Sequence, residues 1–247
     1  MELNSTKRIR RAVLWLFFVT LPLSGQTNAG SAPSARYFVA FLRPDPARKP
    51  LAKDEAERIQ SAHMANIHKM ADDGVLISAG PFDDSPTTIS GIFVFKVKSL
   101  HTAQSIAAND PTVVEHRNTI DVHAWNGPEG IGVEYFRLHK LDPSTPENMQ
   151  IHPFCMFYRG PKWNDMRNER DSLLRDHERY LAQLKEQGKL GAAGAIDAPD
   201  DLLALVIFKP IPLEEAQRLL DADPAAKAGV LRIEYHRWWS SDHVLPW

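Results

Sequence analysis

A single cysteine, Cys155, stands in 247 residues, so no internal disulfide can form and the fold must rest on apolar cores. A charge excess of one sign is also missing. The 29 Lys and Arg against 31 Asp and Glu leave a net charge of −2, and no basic stripe follows the first dozen residues. That excludes the electrostatic footprint of a nucleic-acid-binding protein. Clustered Cys and His at zinc spacings are lacking, so no metal is expected. A Gly-x-Ser-x-Gly elbow, a phosphate-binding glycine loop and a dinucleotide fingerprint are lacking too. No cofactor is expected, and a haem-bearing barrel has no signature here. The notable apolar run, Ala12 to Leu23, falls short of the ~18 residues of a comfortable membrane span.

That run follows the basic stretch Lys7-Arg8-Ile9-Arg10-Arg11 and precedes small and polar residues from Ser24 to Ala32. The order predicts a signal peptide over residues 1–29, cleaved near Ala29, and a periplasmic or secreted protein. Retention as an anchor is the alternative; without a Cys in the cleavage zone, a lipid anchor is not expected. Removing 29 of 247 residues leaves 218, room for two domains of about 100 residues each.

What is present is repetition. His63, Gly74 and Gly80 return 114 residues later as His177, Gly188 and Gly194. Asp110-Pro111 and Trp125 return 113 residues later as Asp223-Pro224 and Trp238. One offset held across five features marks a duplicated domain. Each copy reads strand, amphipathic helix, two strands, short helix, strand. The strands begin at Tyr37–Leu42 and Phe154–Tyr158; the long helices run Asp54–Asp73 and Asp165–Gln187. This is the α+β, ferredoxin-like βαββαβ order. Both helices cover one sheet face, so the two copies are expected to pair their open faces as an intrachain pseudo-dimer. The domains are set at 36–126 and 151–240, with a Gly- and Pro-containing linker at 127–150. Within it, Val133 to Leu138 reads either as an edge strand or as an ordered loop.

His63 is four residues from both Ile59 and Ile67, and His177 four from both Leu173 and Leu181, so each imidazole lies in its helix's apolar stripe. A ring turned toward a sheet needs partners for its nitrogens or a cavity edge. The recurring Asp could hold one nitrogen and leave the other free as a base. The plainer reading is a satisfied core His and an Asp-Pro that stops a helix.

These segments resemble the YciI-like family, also called YCII-related domains, of the dimeric α/β-barrel superfamily. The resemblance rests on Ala62-His63-Met64, Ser78-Ala79-Gly80-Pro81-Phe82 and Ala108-Asn109-Asp110-Pro111. In the second copy it rests on Asp176-His177-Glu178, Ala193-Gly194 and Ala222-Asp223-Pro224-Ala225-Ala226-Lys227-Ala228-Gly229. It implies a ferredoxin-like fold paired through its sheets, with His63 and Asp110, and His177 and Asp223, lining clefts. One similar protein is a dehydrochlorinase acting on chlorinated hydroxyquinols through such a pair. Each copy departs from the pattern. The first has Val114-Glu115-His116 where the family favours Lys-Ala-Gly, and the second has Gly194-Ala195 in place of Gly-Pro. The first, with its Gly-Pro-Phe loop intact, is the better candidate for a working site.

Other residues are weighed beside these. His63 and His68, five apart, stand about 140° apart on a helix and do not make one metal-binding face. His123 and His236 each precede a Trp by two on the last strand, which suggests packing at the domain interface. Arg43 and Arg159 follow the first strands and are candidates to hold an anionic substrate. Cys155, Trp238, Trp239 and Trp247 read as packing residues. The expectation is a small-molecule enzyme of lyase, isomerase or hydrolase type using a His-Asp base, with a non-catalytic ligand-binding protein as the rival. Its partner would be a small molecule, with no nucleic acid and no stable membrane association after cleavage. The pseudo-dimer would be a monomer or assemble further.

Overall fold

The computed structural model describes residues 34–86 and 88–247; the expected signal peptide lies outside them. The first repeat runs β1 (Ser34–Pro44), α1 (Lys53–Asp72), β2 (Leu76–Pro81), β3 (Gly91–Phe95), α2 (Leu100–Ala108), α3 (Pro111–Val114), β4 (Asn118–Pro128). After α4 (Val133–Leu141), the second runs β5 (Gln150–Arg159), α5 (Arg167–Glu186), β6 (Leu190–Asp197), β7 (Leu202–Phe208), α6 (Leu213–Asp221), α7 (Pro224–Lys227), β8 (Leu231–Ser240). Among the described residues no helix is long and apolar enough to cross a membrane.

Two of the repeated signals act locally. Gly74 and Gly188 both sit at φ +70°, just past α1 and α5. Val75 and Lys189 N–H donate back to Met70 and Leu184 O at 3.1 and 3.0 Å, the left-handed glycine stop that any Cβ would strain. Asp110 and Asp223 do more than end a helix. Each opens the next one-turn helix, accepting from the N–H two residues on, with Pro at the first helical position where no donor is missed.

All strand pairs are antiparallel, in the order β2-β3-β1-β4-β6-β7-β5-β8. The two sheets share one core, in keeping with an intrachain pseudo-dimer, and their edges join as well. An unpaired edge strand leaves backbone donors and acceptors unmet. At one seam β4 pairs β6 from Ala124–Asp197 to Asn126–Ala195. At the other, β2 and β8 meet through a single bridge, Phe82 to Trp238, with Asp83 N–H donating to Arg237 O at 2.8 Å. Pro81 stands here where β6 has Ala195, and without an N–H it cannot extend the ladder. The eight-stranded sheet thus closes on itself, zipped at one seam and barely pinned at the other.

Gly80 and Gly194 mark these seams. A Cβ on Gly80 would lie 1.9 Å from Trp239 O, and one on Gly194 1.9 Å from Asn126 O. Inside the closed sheet the two repeats share one core, with Tyr37, Phe41, Trp125, Phe154, Met156 and Trp238 all 1% exposed or less. Outside it, α1 and α2 cover Phe38, Phe93 and Phe95, while α5, α6 and α7 cover Cys155, Phe157 and Phe208. Cys155 is fully buried, and burial pushes its thiol pKa up, so packing is its role.

The reading of Val133 to Leu138 as strand or loop is wrong. The segment is α4, stapled by Arg137 to Glu134 one turn back. Its Tyr135 and Phe136 pack onto the shared core. A Tyr-Phe pair in a short segment carries no clear period, so helix and strand could not be told apart from the pattern.

Candidate active site

α1 brings His63 over Phe93, ring centroids 5.9 Å apart, and α3 brings Asp110 beneath it. His63 Nδ1 lies 2.8 Å from Asp110 Oδ2 and 3.0 Å from Oδ1. Asp110 is fully buried and also accepts from Asn66 Nδ2 (3.1 Å), Thr112 N (3.0 Å) and Thr112 Oγ1 (2.6 Å). Burial raises its pKa, but the hydrogen bonds from His63 and Thr112 and the attraction of the imidazole outweigh this, and the carboxyl sits below its usual range. An ionised carboxylate only accepts, so Nδ1 carries the proton and a neutral His63 keeps its lone pair on Nε2. The chain of donors continues outward. Asn118 Nδ2 donates to Thr112 Oγ1 (3.0 Å), and Ser90 Oγ donates to Asn118 Oδ1 (2.8 Å).

This arrangement lines a cavity of about 570 Å³ that follows β2. His63, Ser90, Thr112 and Asn118 form its polar wall; Met64, Ile67, Leu76, Ile92 and Phe93 make it largely apolar. Tyr135 and Phe136 of α4, with Met149, Ser241 and Val244, close the far side. His68 also borders the cavity although it lies on another face of α1. A second hollow of about 230 Å³ shares Gln60, Ser90, Thr112 and Asn118 with the first and adds Arg48 and Arg117. An apolar chamber with an imidazole on its wall has the character of a small-molecule pocket.

The second copy has the pair away from both hollows. His177 Nδ1 lies 2.5 Å from Asp223 Oδ2, and Asp223 Oδ1 accepts from Ala225 and Ala226 N–H at 2.9 and 3.2 Å. His177 borders neither cavity. At the repeat offset Asn66, Thr112 and Asn118 become Tyr180, Ala225 and Leu231. All three belong to the apolar cluster under the helices. The C-terminal tail adds to the filling: Leu245 packs over Gly191, and Trp247 lies against Lys185 Nζ at 3.8 Å from the ring centroid.

Arg43 and Arg159, the candidates for holding an anionic substrate, line neither of these two cavities. Nor are they counterparts. Arg43 is opposite Thr119 and Tyr158 opposite Arg232, so the register matches Arg43 with Tyr158. Arg159 pairs with Asp201 at 3.4 Å and stacks on Trp163. Arg43 lies over Phe41 and near Asp121 and Glu234. His123 and His236 are buried as expected, but with carboxylate partners as well as ring packing. His123 bonds Asp121 at 2.6 Å; His236 bonds Glu234 at 3.0 Å and, from the other repeat, Asp84 at 2.6 Å. Among the described residues no group of three or more His, Cys, Asp or Glu is placed to hold a metal.

The residues missed in sequence were Asn66, Ser90, Thr112, Asn118, Arg48 and Arg117. Asn66 stands one turn after His63, and Thr112 two residues after Asp110, the spacing of an Asx turn. Both were legible in principle. Ser90, Asn118 and the two arginines gather only through the fold.

Solved structures share this architecture. A variant of chlorite dismutase from Candidatus Nitrospira defluvii aligns at a TM-score of 0.53 and 13% identity, over 85% of this chain and 92% of its own. A protein designated TA0507 and described as a chlorite dismutase aligns at 0.52 and 8% identity, over 85% and 96%. At these identities the likeness is one of fold. No curated protein matches the sequence. The family model of the YCII-related domain matches twice, over residues 37–125 and 154–238, and the chain belongs to that family as a tandem of two such domains.

Proposed function

We propose that this protein is an exported small-molecule enzyme of lyase, isomerase or hydrolase type. In this reading His63 Nε2 takes a proton from a substrate held in the cavity along β2. Asp110 holds the ring in the Nδ1–H tautomer and stabilises the imidazolium as it forms. The second pair, His177 and Asp223, serves as a structural cap. One observation carries the proposal: His63, held by Asp110, stands on the wall of a 570 Å³ cavity, and its copy His177 lines neither that cavity nor the hollow beside it.

The test is a screen of small carbon acids and esters in D2O, followed by NMR for exchange or turnover. His63→Ala is expected to slow any reaction found by about 10²–10⁴-fold, the usual worth of a general base, with an unchanged circular dichroism spectrum. His177→Ala is expected to keep the rate and lose stability. Turnover that survives His63→Ala overturns the base. Saturable binding with no turnover in the wild type favours the rival, a ligand-binding protein. Export is checked by N-terminal sequencing of protein recovered from the periplasm, with a mature end near Gly30.

A further inference from the structure

We infer that Arg48 and Arg117 form an anion subsite beside the dyad, so that its substrate is a small acid with an apolar body. The inference rests on the proposed function and names the class of molecule that the site would take.

Arg117 spends one hydrogen bond on Lys49 O, from Nη1 at 2.6 Å. A guanidinium has five donors, so most of its capacity is left over. Neither Arg48 nor Arg117 forms an ion pair with a carboxylate among the described residues, whereas nearby Arg58 is taken by Glu55 and Glu115, each at 2.8 Å. Two uncommitted guanidinium groups at one small hollow set up a positive field suited to a carboxylate or similar oxyanion.

The hollow belongs to the dyad's surroundings, because Gln60, Ser90, Thr112 and Asn118 border both it and the main cavity. The two hollows thus meet at the line of hydrogen bonds that runs from Ser90 through Asn118 and Thr112 to Asp110. A ligand anchored by its anion at the arginines would lay its apolar part along Met64, Ile67 and Phe93, next to His63.

The second repeat supplies an internal control. At the repeat offset, and by strand register for Ser90, the counterparts of Gln60, Ser90, Arg117 and Asn118 are Leu174, Leu203, Val230 and Leu231. These four belong to one apolar cluster. Around the second dyad the polar lining and the Arg117 guanidinium are replaced by apolar side chains.

The test uses 4-phenylbutyrate and its neutral counterpart 4-phenylbutan-1-ol as probes, with affinity read by calorimetry and the His63 ring by NMR. The carboxylate is expected to bind about ten-fold tighter than the alcohol, by charge-assisted hydrogen bonds, and to shift the His63 resonances. The combined Arg48→Gln and Arg117→Gln variant should lose that preference and keep its affinity for the alcohol, which also shows that the cavity is intact. Rising salt should weaken only the carboxylate. His63→Ala should retain the preference, so failure of the base and failure of the subsite are read separately. Equal binding of the two probes by the wild type overturns the subsite. So does a preference that survives both substitutions, or carboxylate binding that leaves the His63 ring unmoved.

Discussion

In the first repeat Asp110 collects hydrogen bonds from three side chains, and a line of polar groups runs from it to Ser90. In the second, Asp223 holds the same imidazole but otherwise bonds two backbone N–H groups, and leucines stand where the polar line would run. The pair itself is nearly the same in both. What differs is the wall behind it, and the wall decides whether the imidazole faces a chamber. A His-Asp pair is therefore compatible with both a structural cap and a working base, and duplication preserved the first use in both copies.

The seams offer the sharpest test of the shared frame. Gly80→Ala and Gly194→Ala each drive a Cβ into a backbone carbonyl of the other repeat, and each is expected to cost more than about 3 kcal/mol, at the upper end of overpacking. Denaturant melts of the two variants check this; tolerance of one alone would show that the seams are not equivalent. Next in size, Asp223→Ala uncaps α7 and strands His177, a loss of about 2–4 kcal/mol with no change in turnover. Asp110→Ala should cost as much and remove turnover too. Equal kinetics in the two variants would break the contrast between the repeats.

Asp84→Asn acts on the joint between repeats and should cost about 1.5 kcal/mol near neutral pH, as a bond to a charged group. Burial lowers the His236 pKa, but the hydrogen bonds to Glu234 and Asp84 outweigh it and hold the imidazole above its ordinary value. A raised folded value stabilises fully below about pH 6.5, the unfolded value, and the gain is lost as pH rises through the folded one. The difference in Tm between wild type and Asp84→Asn should therefore shrink as the pH is raised; a constant difference would argue against the charged pair.

Thr112→Ala installs the residue of the second repeat. It removes one hydrogen bond to Asp110, at about 1 kcal/mol, and should slow turnover several-fold by loosening the dyad. The smallest expected effect lies at His116, which adopts φ +50° where Gly229 has +76°. His116→Gly should stabilise by about 0.5–1 kcal/mol through relief of left-handed strain, seen as a slightly higher Tm.

Several features could be read directly because their causes are local. Gly74 and Gly188 had to stop helices, and the stripes of α1 and α5 had to turn His63 and His177 inward. The Asp-Pro pairs were visible, though as stops and not as caps that open α3 and α7. That Arg43 and Arg159 lie away from both hollows was not legible, because proximity to a strand end says nothing about which face a side chain takes. Arg48 and Arg117 come from two loops flanking α1 and β4, and only the packed fold sets them on one hollow.

The sequence by itself determined the duplication, the order of elements and the identity of the two His-Asp pairs. These depend on residue type and short-range periodicity, which each segment carries alone. The tertiary structure decided that the sheet closes, that Pro81 leaves one seam barely pinned, and that His63 lines the 570 Å³ cavity while His177 does not. Those outcomes depend on which side chains meet across the repeats and on what remains unfilled between them, and no single segment holds that information.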